Sequence, residues 1–200
     1  MSLKEQIITE ALKQFSTKGF LGTSTMDIIE AVGTSKGGLY NHFKSKEQLF
    51  YEALSQARKI WRDRNLCGLR QIDDPIEKIK KILINYKDNY LADSDNFPGG
   101  CIFVNFAIEL SDQKPVLAEA VNEGFDRFKA MLRRLLDQAK ASQMLKAGVD
   151  NDQVIEMIFA GLLGACVMHT VNKSTQNLEL TIHSLTNYLS SICKHRLQDN

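Results

Sequence analysis

The sequence predicts an all-α protein of about nine helices. Apolar residues recur with the 3.6-residue period of a helix along most of the chain, and several of these stretches begin with capping residues. No stretch alternates apolar and polar residues for long enough to indicate a strand. Only three prolines and twelve glycines occur in 200 residues, which argues against disorder and against turn-rich β folds.

The N-terminal segment begins with two predicted helices. Residues 2–18 form an amphipathic stripe that a capping box of Ser2 and Glu5 opens, and we expect Gly19 to end it in a left-handed conformation. A short helix follows over residues 25–32, with Ser24 or Thr25 as its cap.

A second short helix is predicted from about Ser35 to Phe43, after a break at Gly33 and Thr34. Ser45, with Gln48 three residues later, is a further capping box, which opens a long amphipathic helix. We therefore place a domain boundary here, with a helix-turn-helix domain over residues 1–46 and a second domain over residues 47–200.

The second domain contains the remaining predicted helices. Asp74 and Pro75 are a cap and a first-turn proline, a loop rich in Asp, Gly and Pro spans residues 91–100, and Asp150 with Gln153 caps a late helix. The predicted spans are about 75–90, 101–110, 115–141, 150–171 and 178–196.

Charge is unevenly divided along the chain. The net charge is +1, but residues 1–46 carry six lysines and four acids, a balance of +2, which leaves −1 for the remainder. The segment from Ser35 to Lys46 has three lysines and no acid. A local basic region on a nearly neutral protein suits phosphate attraction, although a solvated surface stretch would have the same composition.

The pair of short helices around Gly33 is typical of a helix-turn-helix, which presents its second helix to the major groove of DNA. At 100° per residue, one arc of about 140° on that helix collects polar and small side chains, whereas Leu39 and Phe43 lie on the other side. Paired glycines at a helix start cost stability, which is reasonable where a base edge or backbone approaches closely. The residues of the polar arc are Lys36, Gly37, Tyr40, Asn41 and Lys44.

The run from Gly22 to Glu47, GTSTMDIIEAVGTSKGGLYNHFKSKE, resembles the DNA-binding signature of TetR-family transcriptional regulators. The departures are Ile29, where a small residue is common, and Thr34, where valine is common. The resemblance covers about residues 3–50, and the remaining length agrees with the family's ligand-binding and dimerisation domain.

This resemblance implies a repressor that binds a palindromic operator in double-stranded DNA as a homodimer and is released by a small-molecule effector. Thr25, at a helix N-terminus, and Lys46 would contact phosphate. His42 has an alternative structural role in the core. The positions implied at the DNA surface are Thr25, Ser35, Lys36, Gly37, Tyr40, Asn41, His42 and Lys46.

The last two predicted helices indicate a dimer interface. Apolar residues from Leu178 to Ile192 recur with spacings of four and three, and the run from Met157 to Met168 is apolar on nearly every face. Two copies of this helix pair would form a four-helix interface. The alternative is that these faces are core within one chain.

The central helices are expected to enclose an apolar effector pocket with few polar groups. Most of the aromatic residues there are equally compatible with ordinary core. The candidates for ligand contact are Trp61, Tyr86, Cys101, Asn105, Phe125 and His169.

Cys101 supports two interpretations. It follows Pro98-Gly99-Gly100 at a predicted helix start, where the helix dipole favours a thiolate, and its Gly-Cys-apolar motif resembles one subgroup of the family. Cys101 would then sense electrophiles or oxidants by covalent modification. The alternative is a buried packing residue.

Other function classes have little support in the sequence. No catalytic, nucleotide-binding or metal-binding motif occurs, so we expect no enzyme activity, no metal and no cofactor. The Met157–Met168 run is too short to span a bilayer and no leader opens the chain, so we expect a cytoplasmic protein without a membrane partner. A helical adaptor that binds protein instead of DNA is the alternative of another class.

Overall fold

The computed structural model describes residues 1–172 and 174–194, and this part of the chain is helical throughout apart from its connections. Single turns of 3₁₀ and π helix lie at Leu69–Gln71 and Tyr86–Leu91. The α-helices in the described part are α1 (Leu3–Lys18), α2 (Thr25–Val32), α3 (Lys36–Tyr40), α4 (Lys46–Asn65), α5 (Pro75–Asn85), α6 (Ile102–Leu110), α7 (Pro115–Ala141), α8 (Asn151–Asn172) and α9 (Gln176–Ser191).

The chain divides into two compact units. The first unit contains Met1–Arg64 and Asn89–Gly124, and the second contains Asn65–Asp88 and the residues from Phe125 onward. The boundary predicted after residue 46 divides the chain by expected function, and it lies inside the first unit, where Phe50 of α4 and Phe106 of α6 pack with the N-terminal segment. It stays a prediction.

Four phenylalanines form the centre of the first unit. The ring of Phe20, in the turn after α1, lies 5.6 Å from Phe15 and 5.3 Å from Phe50 of α4, and Phe106 of α6 lies 4.9 Å from Phe50. All four side chains are buried. Burial of aromatic side chains of this size contributes strongly to stability, so α1, α4 and α6 form one core.

In the second unit, α9 packs against α5 and α8. The apolar stripe that the sequence places on α9 is buried within this one chain, which agrees with the alternative that these faces are core within one chain. If a second chain packs on these two helices, as the sequence predicts, it must contact other residues than this stripe. The buried stripe consists of Leu178, Ile182, Leu185, Leu189 and Ile192.

Three helix ends differ from the sequence prediction. The helix predicted over about residues 75–90 is α-helical only to Asn85, and a π-helical segment continues it over Tyr86–Leu91. The α-helix assigned to α3 ends at Tyr40, although the Phe43 N–H still donates to Leu39 O at 3.0 Å, so the helical turn continues in looser form. The last helix ends at Ser191, because the chain beyond it pairs with residues 144–146: the Lys194 N–H donates to Met144 O at 2.8 Å. The predicted end near residue 196 lies outside the described residues.

Gly19 ends α1 as predicted, but its backbone, at φ 76° and ψ 171°, is not left-handed helical. The carboxylate of Glu109 lies directly against this turn, where a Cβ on Gly19 would collide with its Oε1. Glycine is required here by the positive φ, which residues with a side chain rarely adopt.

Helix α8 is long and apolar enough to cross a membrane by length and composition alone, although a third of its apolar window is already buried in the chain. The run from Met157 to Met168 is only the central part of this 22-residue helix. Helices in the core of soluble proteins have the same composition, so this is weak evidence for a membrane.

Candidate nucleic-acid interface

Helix α2 begins at a complete capping box. Ser24 is the cap: its hydroxyl accepts the Asp27 N–H at 3.0 Å, and the Asp27 carboxylate accepts the Ser24 N–H at 2.7 Å. Hydrogen bonding to the Asp27 carboxylate, first from the Ser24 backbone N–H and second from the Ser24 side chain, lowers the pKa of Asp27. Thr25 is consequently the first residue of α2, with its side chain at the helix N-terminus.

The turn between α2 and α3 is fixed by backbone geometry. Gly33 adopts a left-handed conformation (φ 72°, ψ 35°), and the Thr34 N–H donates to Ile29 O at 3.1 Å. Ser35 caps α3, since its hydroxyl accepts the Gly38 N–H at 3.1 Å. The role of Ser35 within the protein is therefore to start α3.

Helix α3 has one buried and one exposed side. Leu39 and Phe43 are completely buried and anchor the helix to α1 and α2. The predicted polar arc faces solvent, and the large Tyr40 ring is 48% exposed. The exposed members of the arc are Lys36, Gly37, Tyr40, Asn41 and Lys44.

The two adjacent glycines of α3 differ in how much space the protein leaves for a side chain. A Cβ on Gly38 would lie 2.3 Å from Thr34 Oγ1, so close packing within the protein favours glycine at this position. A Cβ on Gly37 would meet only Ser35 Oγ at 3.7 Å, and its φ is not positive. Packing within the described chain therefore leaves room for a side chain at Gly37, which is exposed.

Two hydroxyls meet beside this exposed side. Thr25 Oγ1 at the start of α2 lies 3.5 Å from Tyr40 Oη on α3. A hydroxyl pair next to a helix N-terminus can donate to one anionic oxygen. His42 is exposed as well, with its ring 6.3 Å from the ring of Phe43, so it is not part of the core.

The side chain of Lys46 packs against the protein itself, over the ring of Phe20. Its Nζ lies 4.3 Å from the centroid of the Phe20 ring, and burial lowers the pKa of its ammonium group. Glu47 and Lys114 form an ion pair beside it at 3.2 Å. A phosphate contact by Lys46 requires its side chain to leave Phe20.

Two residues distant in sequence, Glu109 and Gly99, form hydrogen bonds to the end of α1 and the turn that follows it. These contacts were not predicted from the sequence. The Glu109 carboxylate accepts the Phe20 and Leu21 N–H groups, both at 2.8 Å. The Gly99 N–H donates to Ser16 Oγ at 2.9 Å, and a Cβ on Gly99 would collide with Ser16 O. No local motif signals these contacts, because they join residues more than eighty positions apart.

The candidate effector residues fall into both units. In the first unit, Trp61 is half-buried, Cys101 is 1% exposed, and the Asn105 amide donates to Ser16 O at 3.4 Å and to Gly99 O at 3.3 Å. Asn105 therefore has a structural role here. The pocket itself stays a prediction.

In the second unit, Tyr86 is buried and Phe125 is half-buried, with its ring 5.3 Å from that of Phe159. His169 Nδ1 lies 3.1 Å from Ser174 O, so one of its ring nitrogens is already occupied near the end of α8.

Cys101 lies at the N-cap of α6, as predicted. Its Sγ is 3.8 Å from Tyr90 Oη, inside the core of the first unit. Burial of this degree favours the packing interpretation, because oxidants and electrophiles modify accessible thiolates. Cys67 is the cysteine that is exposed in the described chain.

Comparison with known proteins gives two family matches. The profile described as "Bacterial regulatory proteins, tetR family" matches residues 7–53, and "Tetracyclin repressor-like, C-terminal domain" matches residues 75–185. The chain is 29% identical to the HTH-type transcriptional regulator LmrA of Bacillus subtilis over 163 residues, 80% of this chain and 84% of LmrA. It is 31% identical to the HTH-type transcriptional regulator RutR of Escherichia coli over 78% of this chain and 70% of RutR.

Solved structures have the same fold. A TetR transcriptional regulator from Chloroflexus aurantiacus superimposes with a TM-score of 0.87 and 28% identity over 97% of both chains. A TetR-family regulator from Cytophaga hutchinsonii, at 20% identity, superimposes with a TM-score of 0.79 over 96% of both chains. The helix-turn-helix described above is thus part of a full-length match, and not an isolated motif.

Proposed function

Because the chain belongs to the TetR family of bacterial transcriptional regulators, we propose that it is a repressor whose α3 helices enter the major groove of a palindromic operator. It is a sequence-specific DNA-binding regulator, and regulators of this family bind operators as dimers and respond to small effectors. Regulation by repression and the residues in contact with DNA are our proposals.

The observation that carries the proposal is the exposed side of α3. Lysine reaches guanine or phosphate, asparagine pairs with an adenine edge, and tyrosine donates to phosphate. Lys36, Tyr40 and Asn41 supply these groups on one exposed surface. Gly37, between them, lets the DNA approach the α3 backbone.

Phosphate contacts would come from both edges of this surface. The hydroxyls of Thr25 and Tyr40, 3.5 Å apart, can donate to the same phosphate at the start of α2. On the other side, the Lys46 ammonium group would leave the Phe20 ring and bind a phosphate of the DNA backbone. Ser35 supports this surface by capping α3, and the exposed His42 lies beside Asn41.

We place the dimer interface on the outward face of α8 and α9. Met168 is 44% exposed, Val171 73% and Leu180 59%, although the opposite faces of these helices are buried. A Cβ on Gly164 would meet nothing within 4 Å, which leaves space for a second helix. Gly161, by contrast, lets α9 of the same chain approach, since its Cβ would touch Leu185 at 3.5 Å.

The effector in this proposal is a small hydrophobic molecule. We expect it to act without enzymatic conversion, since the relatives are regulators, and in the cytoplasm, where operator DNA is accessible. Relief of repression through Cys101 is a weaker alternative, because its thiol is buried.

Selection of genomic fragments with the purified protein tests the proposal. A palindromic sequence should be enriched, and its fragments should bind two chains each. Enrichment of no sequence would contradict operator binding and would favour the adaptor alternative. Reporter transcription from the selected promoter should rise when the gene for this protein is deleted, whereas a fall would show activation.

A further inference from the structure

The connection between α3 and α4 carries a lysine that has no role in the DNA contacts proposed above. Lys44 is the last member of the exposed arc of α3. The residue before it, Phe43, is completely buried, and the Phe43 N–H donates to Leu39 O at 3.0 Å. The chain on the N-terminal side of Lys44 is therefore anchored in the core of the first unit, so Lys44 begins from a fixed point beside α3.

The backbone of Lys44 is held on its C-terminal side as well. The side-chain Oε1 of Gln48, in the first turn of α4, accepts the Lys44 N–H at 2.6 Å, and the Gln48 N–H donates to Ser45 Oγ at 3.1 Å. In a standard capping box the third helical residue accepts the N–H of the cap itself. Here Gln48 instead reaches one residue further back, to Lys44, and so fixes the backbone that carries this lysine.

The ammonium group of Lys44 differs from those of neighbouring lysines. Lys4 pairs with Glu52 at 3.0 Å, and Lys46 lies over the ring of Phe20 at 4.3 Å. Among the residues that the structure describes, no carboxylate lies within 4 Å of the Lys44 ammonium group. Lys44 can therefore bind an anion without first leaving a partner in the protein, whereas Lys46 cannot.

The nearest acid along the chain does not neutralise Lys44 either. Residues 35–46 contain no acid, and Glu47, which follows them, pairs with Lys114 at 3.2 Å. Lys44 is thus an uncompensated positive charge at the edge of the exposed side of α3. Such a charge attracts the phosphates of a DNA backbone.

We propose that Lys44 binds a backbone phosphate of the operator and that Gln48 is the positioning residue for this contact. The inference rests on the proposed operator binding and adds two residues to it. Phosphate contacts fix the register of a protein on DNA and carry no sequence information. Lys44 therefore helps to set how α3 lies in the groove, and Gln48 acts through the hydrogen bond to the Lys44 N–H without touching DNA.

The salt dependence of operator binding tests the role of Lys44. Each phosphate that a protein neutralises contributes about 0.9 to the slope of log affinity against log salt concentration. With one such contact in each half-site, Lys44→Gln should reduce this slope by about 2. It should weaken binding to the operator and to its single-base-pair variants alike, by about ten-fold or more at 0.1 M salt. An unchanged slope in Lys44→Gln would overturn the phosphate contact.

Lys13→Gln is the matched control. Lys13 is exposed on the side of α1 opposite its buried residues, and in the described chain it forms no ion pair. This variant loses the same charge from the same unit, so it should keep the slope of the parent. An equal reduction of the slope in both variants would show an effect of net charge alone and would also overturn the contact.

A double-mutant cycle tests the role of Gln48. Gln48→Met removes the acceptor and keeps the length of the side chain and its helix propensity. It should accelerate hydrogen exchange of the Lys44 amide and weaken operator binding about five-fold in the parent. In the Lys44→Gln background the loss should be below about two-fold, because the contact that depends on Gln48 is already absent. The same loss in both backgrounds would show a merely structural role and would overturn the positioning role.

Failure of this inference and failure of the proposed function give different results. A parent protein that binds no duplex DNA would overturn both. A parent that binds its operator, together with a Lys44→Gln variant of equal slope, would leave operator binding intact and remove Lys44 from the interface.

Discussion

The carboxylate of Glu109 on α6 accepts the backbone N–H of Phe20 at 2.8 Å and thereby holds the turn between α1 and α2. The neighbouring Leu21 N–H donates to the same carboxylate at 2.8 Å. Hydrogen bonds from backbone N–H groups to a charged acceptor are among the stronger ones in proteins. The start of the DNA-binding helix pair is thus attached to α6 by a defined contact within the first unit.

Replacement of Glu109 by glutamine should weaken this attachment. Glutamine keeps one carbonyl oxygen and loses the charge, so we expect the free energy of unfolding to fall by about 1–3 kcal/mol. Hydrogen exchange of the Phe20 and Leu21 amides, measured by NMR, should accelerate. Glu119→Gln, at an exposed position of α7, is the control. Unchanged exchange at both amides in Glu109→Gln would show that the contact has no stabilising effect.

Alanine at Gly37 should separate folding from DNA binding. The protein has room for the added methyl group, and alanine is the better helix former, so the unfolding free energy should be unchanged or higher by up to about 1 kcal/mol. Operator affinity should fall by about ten-fold or more, because the methyl group would occupy the space between α3 and DNA. Thermal unfolding and a fluorescence-anisotropy titration measure the two effects. A variant that binds operator like the parent would remove Gly37 from the interface.

Arginine at Gly164 should disrupt the dimer without unfolding the chain. Nothing in the described part of the chain lies within 4 Å of a Cβ at Gly164, so the side chain is accommodated in a single chain but not between two α8 helices. Light scattering after size-exclusion chromatography should find monomers with parent-like circular dichroism. Gln138→Arg, on the exposed side of α7, should remain dimeric. A dimer that persists in Gly164→Arg would place the interface elsewhere.

Native alkylation should distinguish the two interpretations of Cys101. At 1% exposure its thiol should react with iodoacetamide only after denaturation, whereas the exposed Cys67 should react in the native protein. Mass spectrometry of tryptic peptides quantifies both. Modification of Cys101 at the rate of Cys67 would contradict the packing role and restore the sensor hypothesis.

Much of the fold was predictable because helix starts and ends depend on residues close to them in the sequence. The caps predicted for α2 were Ser24 or Thr25, and the structure has Ser24 in this role. Gly33 ends α2, and Asp74 with Pro75 opens α5, as predicted from neighbours within four residues. The exposed arc of α3 followed from helical spacing alone.

The sequence did not predict two kinds of feature: contacts between residues far apart in the chain, and the identity of the helices that pack on an apolar stripe. Glu109 has no local signal for its bonds to a turn 88 and 89 positions earlier. The stripe on α9 is equally compatible with a partner in the same chain or in another, and α5 and α8 cover it. The sequence does not distinguish Gly37 from Gly38. The structure does, because packing against Thr34 favours glycine at position 38, whereas position 37 has room for a side chain.

The most direct measurement of the central claim is the affinity of Asn41→Ala for the selected operator and for its single-base-pair variants, at fixed salt. We predict a loss of about 1–3 kcal/mol in binding free energy and relaxed preference at one base pair in each half-site, at symmetric positions. Lys46→Ala should instead weaken binding to all of these sequences alike. If Asn41→Ala retains the parent's affinity and base preferences at both half-sites, α3 does not lie in the major groove as proposed.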